Sequence, residues 1–294
     1  MLLGRFEPGT REWVQARAGL TVTATDVAAV VGLSPWQSRF SLWHHKAGLA
    51  AHAVEQTADM EWGTRLEPVI AQKFADMHPE LDLHTTGTWR HAERTWQRAT
   101  PDRILTQPGC IPSLLEIKTA RYDDAWGAEG TDEIPVHYRC QIMWQLDTLG
   151  LRTAHVALLV AGSEYHEYRV EYDQADAELL RDAAEEFLAS IRDGVRPDID
   201  GSTTTYDTVR RLHEGRQDID VEIPRELAHR YQAHSKAHSE IEQAKRQAAA
   251  EILDLIGTGR RAVCDDVRIA TRTVRGGKTY SLLPARPKKN GAAA

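Results

Sequence analysis

Residues 113–120, Ser-Leu-Leu-Glu-Ile-Lys-Thr-Ala, place two opposite charges inside a run otherwise suited to a buried strand. Alternate residues of a strand face the same way. Glu116 and Lys118 therefore share one face, while Leu115 and Ile117 share the other and point to a core. Burying an ionised group alone is costly, so the two charges need a strand end, a cleft or partners. Because they face away from Leu115 and Ile117, their substitution is expected to leave the fold intact. Asp102 precedes a second strand, Arg-Ile-Leu-Thr-Gln, which can return as a hairpin through Gln-Pro-Gly-Cys-Ile-Pro. That pairing would bring Asp102 alongside Glu116.

Two carboxylates and an ammonium at one point suit a particular chemistry. Carboxylates hold hard divalent cations. Such a cation polarises a phosphoryl oxygen and acidifies water, and a lysine can orient that water or stabilise developing charge. A hairpin carrying a surface Glu–Lys pair after a Pro-Asp turn explains the same string. Glu67 is a third candidate carboxylate. Thr64-x-x-Glu67 followed by Pro68 also reads as a capping box at a helix start. Arg17 precedes Thr-Ala-Thr-Asp, a candidate helix N-terminus whose threonines and arginine could hold a phosphate; a plain N-cap beside a surface arginine is the other reading.

The period of the apolar residues divides the chain. Before residue 80, helices are expected in Thr-Arg-Glu-Trp-Val-Gln-Ala-Arg-Ala-Gly, ending in Gly19, in Thr-Ala-Thr-Asp-Val-Ala-Ala-Val-Val, from Ser38 to Gly48, and from Gly63 to Pro79, with a loop over residues 50–60. From Leu81 the pattern becomes a meander of strands. Ile134–Gly150 is the strongest helix, Thr153–Gly162 a strand buried on both faces, and Asp173–Gly194 an acidic amphipathic helix. The order predicts a mixed α/β (α+β) class, with a central mixed sheet flanked by helices. Residues 1–198 form the expected main domain. Residues 199–294 form a helical C-terminal extension with a long helix from Pro224 to Ile256, a hairpin turning at Gly276-Gly277 and a disordered tail, Ala-Arg-Pro-Lys-Lys-Asn-Gly-Ala-Ala-Ala. Leu227, Tyr231, His234, His238, Ile241, Lys245, Ala248, Ile252 and Leu255 trace a heptad stripe along that helix, weakened by its polar members.

Three scattered cysteines form no CxxC pair, which argues against a zinc knuckle or disulfide framework. No apolar run approaches a membrane span, and the first residues lack the core of a signal peptide, so a cytoplasmic location is expected. No Walker A string is present, which argues against an ATP-driven helicase-nuclease. A net charge of -7 excludes a chain coated with positive charge for nucleic acid. Residues 84–121 are locally +3, with six Lys and Arg against three Asp and Glu, and a local field is what a cleft uses to attract a polyanion.

Four strings occur in a telling order: Trp13 to Gly48, Glu61 to Phe74, Thr100-Pro-Asp-Arg-Ile-Leu with Leu-Leu-Glu-Ile-Lys-Thr-Ala, and His137 to Gly150. Together they resemble the YqaJ-type viral recombinase family, which belongs with phage lambda exonuclease in the PD-(D/E)xK nuclease superfamily. The resemblance covers about residues 10–172 and implies a nuclease core. It implies that Asp102, Glu116, Glu67 and the Ile117 carbonyl hold Mg2+ or Mn2+, that Lys118 is the catalytic lysine, that Gln141 stands near the site, and that Arg17 and Thr25 grip a DNA 5′-phosphate. The implied activity is 5′-to-3′ exonucleolytic resection of linear double-stranded DNA beside a single-strand annealing protein, in phage or prophage recombination in a bacterial host. A ring-shaped trimer would turn Arg90, Arg94, Arg98 and Arg103 toward its lumen. The other reading is a catalytically silent DNA-binding scaffold that recruits partners through its C-terminal helix.

Overall fold

The computed structural model describes residues 1–7, 9–50, 57–213, 215 and 217–285. The chain forms two compact units, Met1–Gly215 and Arg216–Ala294. The first extends past the expected boundary at residue 198.

Among its described residues, unit one holds nine strands: β1 (Leu2–Gly4), β2 (Val22–Thr23), β3 (Asp82–Thr85), β4 (Thr88–Arg90), β5 (Gln97–Ala99), β6 (Arg103–Thr106), β7 (Ser113–Ala120), β8 (Thr153–Val160) and β9 (Glu164–Glu171). Its helices are α1 (Arg11–Arg17), α2 (Val27–Val30), α3 (Arg39–Lys46), α4 (Ala58–Met77), α5 (Val136–Leu149), α6 (Gln174–Arg192) and α7 (Thr203–Leu212). The main sheet has the order β3-β6-β7-β8-β9, antiparallel throughout except for β7 and β8. Parallel neighbours need a long crossover, and α5 lies between these two in the chain. A smaller sheet, β1-β4-β5-β2, stands apart. The class is the mixed α/β one expected, with a mixed central sheet between helices.

The main sheet is covered on both faces. On one side Ile70, Ala71 and Phe74 of α4 pack on Leu105, Leu115, Ile117 and Ala157. On the other, Leu114, Val156 and Leu158 meet α5, α2 and α6 through Ile142, Leu146, Val30 and Phe187. Helix α5 is buried continuously from Cys140 to Thr148, as suits a helix between a sheet and other helices. It ends at Gly150, whose φ of 71° is the left-handed conformation that glycine adopts without strain.

Several elements differ from expectation. Helix α4 starts at Ala58, capped by Thr57, so Thr64, Glu67 and Pro68 lie inside it and the capping box there does not form. The Thr64 hydroxyl instead donates to the Met60 carbonyl. The Thr-Ala-Thr-Asp helix shrinks to the four residues of α2, because Val22 and Thr23 pair with β5. Helix α7 docks on α3: the Ser38 amide donates to Thr204 Oγ1 at 3.0 Å, and the Thr205 hydroxyl donates to Ser38 Oγ at 2.7 Å. These contacts carry the first unit beyond residue 198.

Unit two contains α8 (Arg225–Ile256) and a three-stranded antiparallel meander, β10 (Arg261–Cys264), β11 (Val267–Arg275) and β12 (Lys278–Pro284). The expected Gly276-Gly277 turn is present. A second tight turn at Asp265-Asp266, both with positive φ, adds the third strand. No residue of α8 is buried. The expected disordered tail lies, except for Ala285, outside the described residues, as do residues 51–56 of the expected loop. No helix among the described residues is long and apolar enough to cross a membrane.

Asp26 anchors the start of α2. It accepts from the Thr23 amide at 2.9 Å and pairs with Lys46 at 2.8 Å, both side chains largely buried. Burial pushes its carboxyl up, but Lys46 and Arg17 outweigh that and hold it down at about 2. A folded value below the unfolded ~3.9 means that the ionised group stabilises the fold by about 2 kcal/mol. That contribution is complete above pH ~4 and disappears as pH falls through the folded value. Asp26→Asn is expected to cost about 2 kcal/mol at pH 7, with the gap to wild type closing in acid, as read from urea-denaturation midpoints across pH.

Candidate active site

The site is assembled where the β6–β7 hairpin runs out. Arg103 pairs with Leu115, which sets Asp102 level with Glu116 just beyond the last rung. The Asp102 carboxylate accepts from the Ile117 amide at 2.7 Å, so a side chain takes over where the ladder ends. Glu116 is only 2% exposed. It does not face an open cleft but lies under α5. Gln145 Nε2 donates to its Oε2 at 2.8 Å, Gln141 Nε2 donates to its Oε1, and the Lys118 ammonium donates to Oε1 at 2.6 Å. Lys118 also donates to Gln141 Oε1 at 3.2 Å and lies 4.7 Å from the centre of the Tyr138 ring.

The electrostatics follow from this crowding. Burial and the adjacent Glu116 raise the Asp102 carboxyl well above its usual range; Glu67 adds to the rise, and Lys118 offsets only part of it. Burial pulls the Lys118 ammonium down, but Glu116 and Asp102 together hold it above its ordinary value. Burial raises the Tyr138 phenol.

Glu67 reaches the same neighbourhood from α4. Its Oε1 accepts from Arg103 Nη1 at 2.7 Å, and that nitrogen also donates to the Asp102 carbonyl. Among the described residues, no group of three or more His, Cys, Asp or Glu is arranged to hold a metal ion. Lys118 and Arg103 occupy carboxylate oxygens that such an ion would use. The donors nonetheless fit a hard cation in kind, being all oxygen. Three carboxylates, Asp102, Glu116 and Glu67, stand beside two cations, Lys118 and Arg103, so the cluster is one positive charge short.

Arg17 and Thr25 also meet. The Arg17 guanidinium donates to Thr25 Oγ1 at 2.7 Å and to Thr23 Oγ1 at 3.3 Å, and stacks over Trp13. The helix that follows is a single turn, so no extended helix N-terminus supports an anion there. Three of the four arginines expected to line a lumen contact a carboxylate or a backbone carbonyl within the chain, and the fourth, Arg90, reaches only the exposed Met1. Arg94 pairs with Asp147 at 2.8 Å, Arg103 pairs with Glu67, Arg98 donates to the Ala16 carbonyl, and Arg90 contacts the Met1 sulfur.

Gln145, Tyr138 and Arg103 are site neighbours that sequence reasoning missed. Tyr138, Gln141 and Gln145 follow steps of three and four, a polar stripe on an otherwise apolar helix, and that spacing was the available signal.

Residues 12–152 match the family model of the YqaJ-like viral recombinase domain. Both sides of the site, Asp102 to Lys118 and Gln141 to Gln145, fall within this match. The uncharacterized protein YqaJ of Bacillus subtilis is 26% identical over 219 residues, covering 72% of this chain. The match spans 66% of that relative, just under two thirds of its length. Similar solved structures include an alkaline exonuclease from Laribacter hongkongensis, 20% identical, covering 63% of this chain and 94% of that one with a TM-score of 0.49. A phage-related exonuclease from Haemophilus somnus is 10% identical, covering 59% of this chain and 96% of that one with a TM-score of 0.44.

The burial of Glu116 corrects the expectation that its loss spares the fold. Glu116→Ala leaves a buried ammonium and two amide donors without their acceptor, at a cost of about 3 kcal/mol. Thermal unfolding is expected to show this loss for Glu116→Ala and a smaller one for Glu116→Gln, which keeps the shape and one acceptor oxygen.

Proposed function

We propose that this protein is a metal-dependent deoxyribonuclease that resects linear double-stranded DNA from its 5′ ends. The observation that carries the reading is the convergence of Asp102, Glu116 and Lys118, with Glu67 and Gln141 beside them, where acidic groups are short of positive charge. Asp102, Glu116, Glu67 and the Ile117 carbonyl would hold Mg2+ or Mn2+. That cation, when bound, supplies Lewis acidity toward a phosphoryl oxygen.

The remaining work falls to the chain. Gln141 and Gln145 fix Glu116 from α5, so the carboxylate is oriented before substrate arrives. The Lys118 ammonium is placed to orient an attacking water and to stabilise charge on the phosphate. Arg17, its guanidinium set against two threonine hydroxyls, offers charge-assisted bonds to a terminal phosphate and would select a 5′-phosphorylated end. A resected end leaves single strand for an annealing protein, and the viral recombinase description of the family supports that setting.

The test is a linear duplex labelled at either its 5′ or its 3′ end, followed with Mg2+, with Mn2+ and in chelator. Early release of the 5′ label, dependent on the cation, is expected. Release in excess chelator, or loss of the 3′ label first, refutes the metal or the polarity. Glu116→Gln and Lys118→Met are expected to slow cleavage by about a hundredfold or more. Cleavage near the wild-type rate, in preparations free of contaminating nuclease, overturns the assignment and leaves the scaffold reading.

Arg17→Ala is expected to erase a preference for 5′-phosphate over 5′-hydroxyl ends while cleavage of hydroxyl ends persists. Rates on the two ends, compared between wild type and variant, decide it.

A further inference from the structure

The charge of this chain is distributed unevenly. Residues 257–294 contain nine Lys and Arg against two Asp, for +7. Residues 1–256 contain 27 Lys and Arg against 41 Asp and Glu, for -14. A surface of the latter kind repels a polyanion. Three arginines of the locally basic stretch of the first unit are held in internal contacts: Arg94 by Asp147, Arg103 by Glu67, Arg98 by the Ala16 carbonyl.

The three-stranded sheet of the second unit is built differently. Arg260, Arg261, Arg268, Arg275 and Lys278 are all exposed, and none makes an ion pair with a carboxylate among the described residues. Arg275 and Lys278 are direct cross-strand partners around the Gly276-Gly277 turn. Like charges placed opposite one another destabilise a hairpin, so this pair asks for a counter-anion from outside. Tyr280, 69% exposed, carries the Arg275 guanidinium 5.8 Å from its ring centre. Exposed cations around an open aromatic face are the two components of single-strand binders: cations follow the phosphates, and bases stack on the ring. A duplex hides its base faces, so the tyrosine favours single-stranded nucleic acid over double-stranded.

We propose that the β10–β12 sheet is a single-stranded DNA-binding surface, in which Arg260, Arg261, Arg268, Arg275 and Lys278 hold phosphates and Tyr280 stacks on a base. The surface does not depend on the nuclease reading, because binding requires no cleavage.

The experiment uses the full-length protein in chelator, with fluorescence anisotropy of a labelled single-stranded 20-mer at several salt concentrations. Arg275→Glu with Lys278→Glu is expected to weaken binding at least tenfold. It should also flatten the dependence of log affinity on log salt by about 1.4, the value for two phosphate contacts on a single strand. A neutral pair, Arg275→Gln with Lys278→Gln, repeats the test if charge reversal disturbs folding, which circular dichroism reports. Tyr280→Leu should weaken single-strand binding about tenfold and leave duplex binding unchanged. Wild-type affinity and salt slope in the charge variants overturn the proposal, and an unchanged Tyr280→Leu overturns the stacking. Vesicles containing phosphatidylserine form the last arm: a loss confined to vesicles would make the sheet a membrane-surface contact instead. Failure of the nuclease assay with intact, variant-sensitive binding would count against the activity alone.

Discussion

The bond from the Ile117 amide to the Asp102 carboxylate is the point on which the site depends. Strands β6 and β7 leave their hairpin register there, and an amide at the end of a ladder needs an acceptor. Supplying it from a side chain rather than a backbone carbonyl fixes a carboxylate beside Glu116. The cost is visible in the raised Asp102 carboxyl. Two acids are held together at the edge of a dry core, and Lys118 neutralises only part of their charge. Strain of this kind is tolerated because the sheet beneath is packed on both faces, with Leu115 and Ile117 against α4 and Leu114 against the α5 side.

Helix α5 has a double role. Ile142, Met143 and Leu146 bury it in the core, while Gln141 and Gln145 reach Glu116 and Tyr138 lies under Lys118. The crossover that permits β7 and β8 to run parallel therefore also delivers the neutral donors that hold the buried carboxylate. A buried acid so supported is oriented, and orientation is what a catalytic group needs most. The same economy appears at Asp147, where Arg94, Arg181, Gln97 and Tyr172 converge. That cluster consumes Arg94, which, counted along the chain, looked available to DNA.

Much was legible along the chain. The alternation in residues 113–120 separated Glu116 and Lys118 from Leu115 and Ile117 correctly, and the spacing to Asp102 anticipated their approach. The caps at Thr10, Ser38 and Asp173 and the stop at Gly150 appear where side-chain chemistry placed them. Elements whose form depends on a distant partner were read less well. Val22 and Thr23 became a strand because β5 was there to pair with, which shortened the helix after them. Glu67 looked like a capping residue because the true cap, Thr57, lies seven residues before Thr64. Helix α7 carries little apolar signal and owes its place to hydroxyls of Ser38, Thr204 and Thr205.

The sequence by itself determined which residue types could do the chemistry and on which face of a strand they stood, because backbone period and side-chain chemistry are local. It also determined that the last forty residues are basic in an acidic chain. Only the tertiary structure decided whether each charge was free or spent. Arg94 and Arg103 look in sequence much like Arg275 and Lys278, yet the first two meet carboxylates from α5 and α4 and the second two face solvent. A charge acts through what lies within a few ångströms of it, and across chain separations of tens of residues that neighbourhood exists only once the elements have packed.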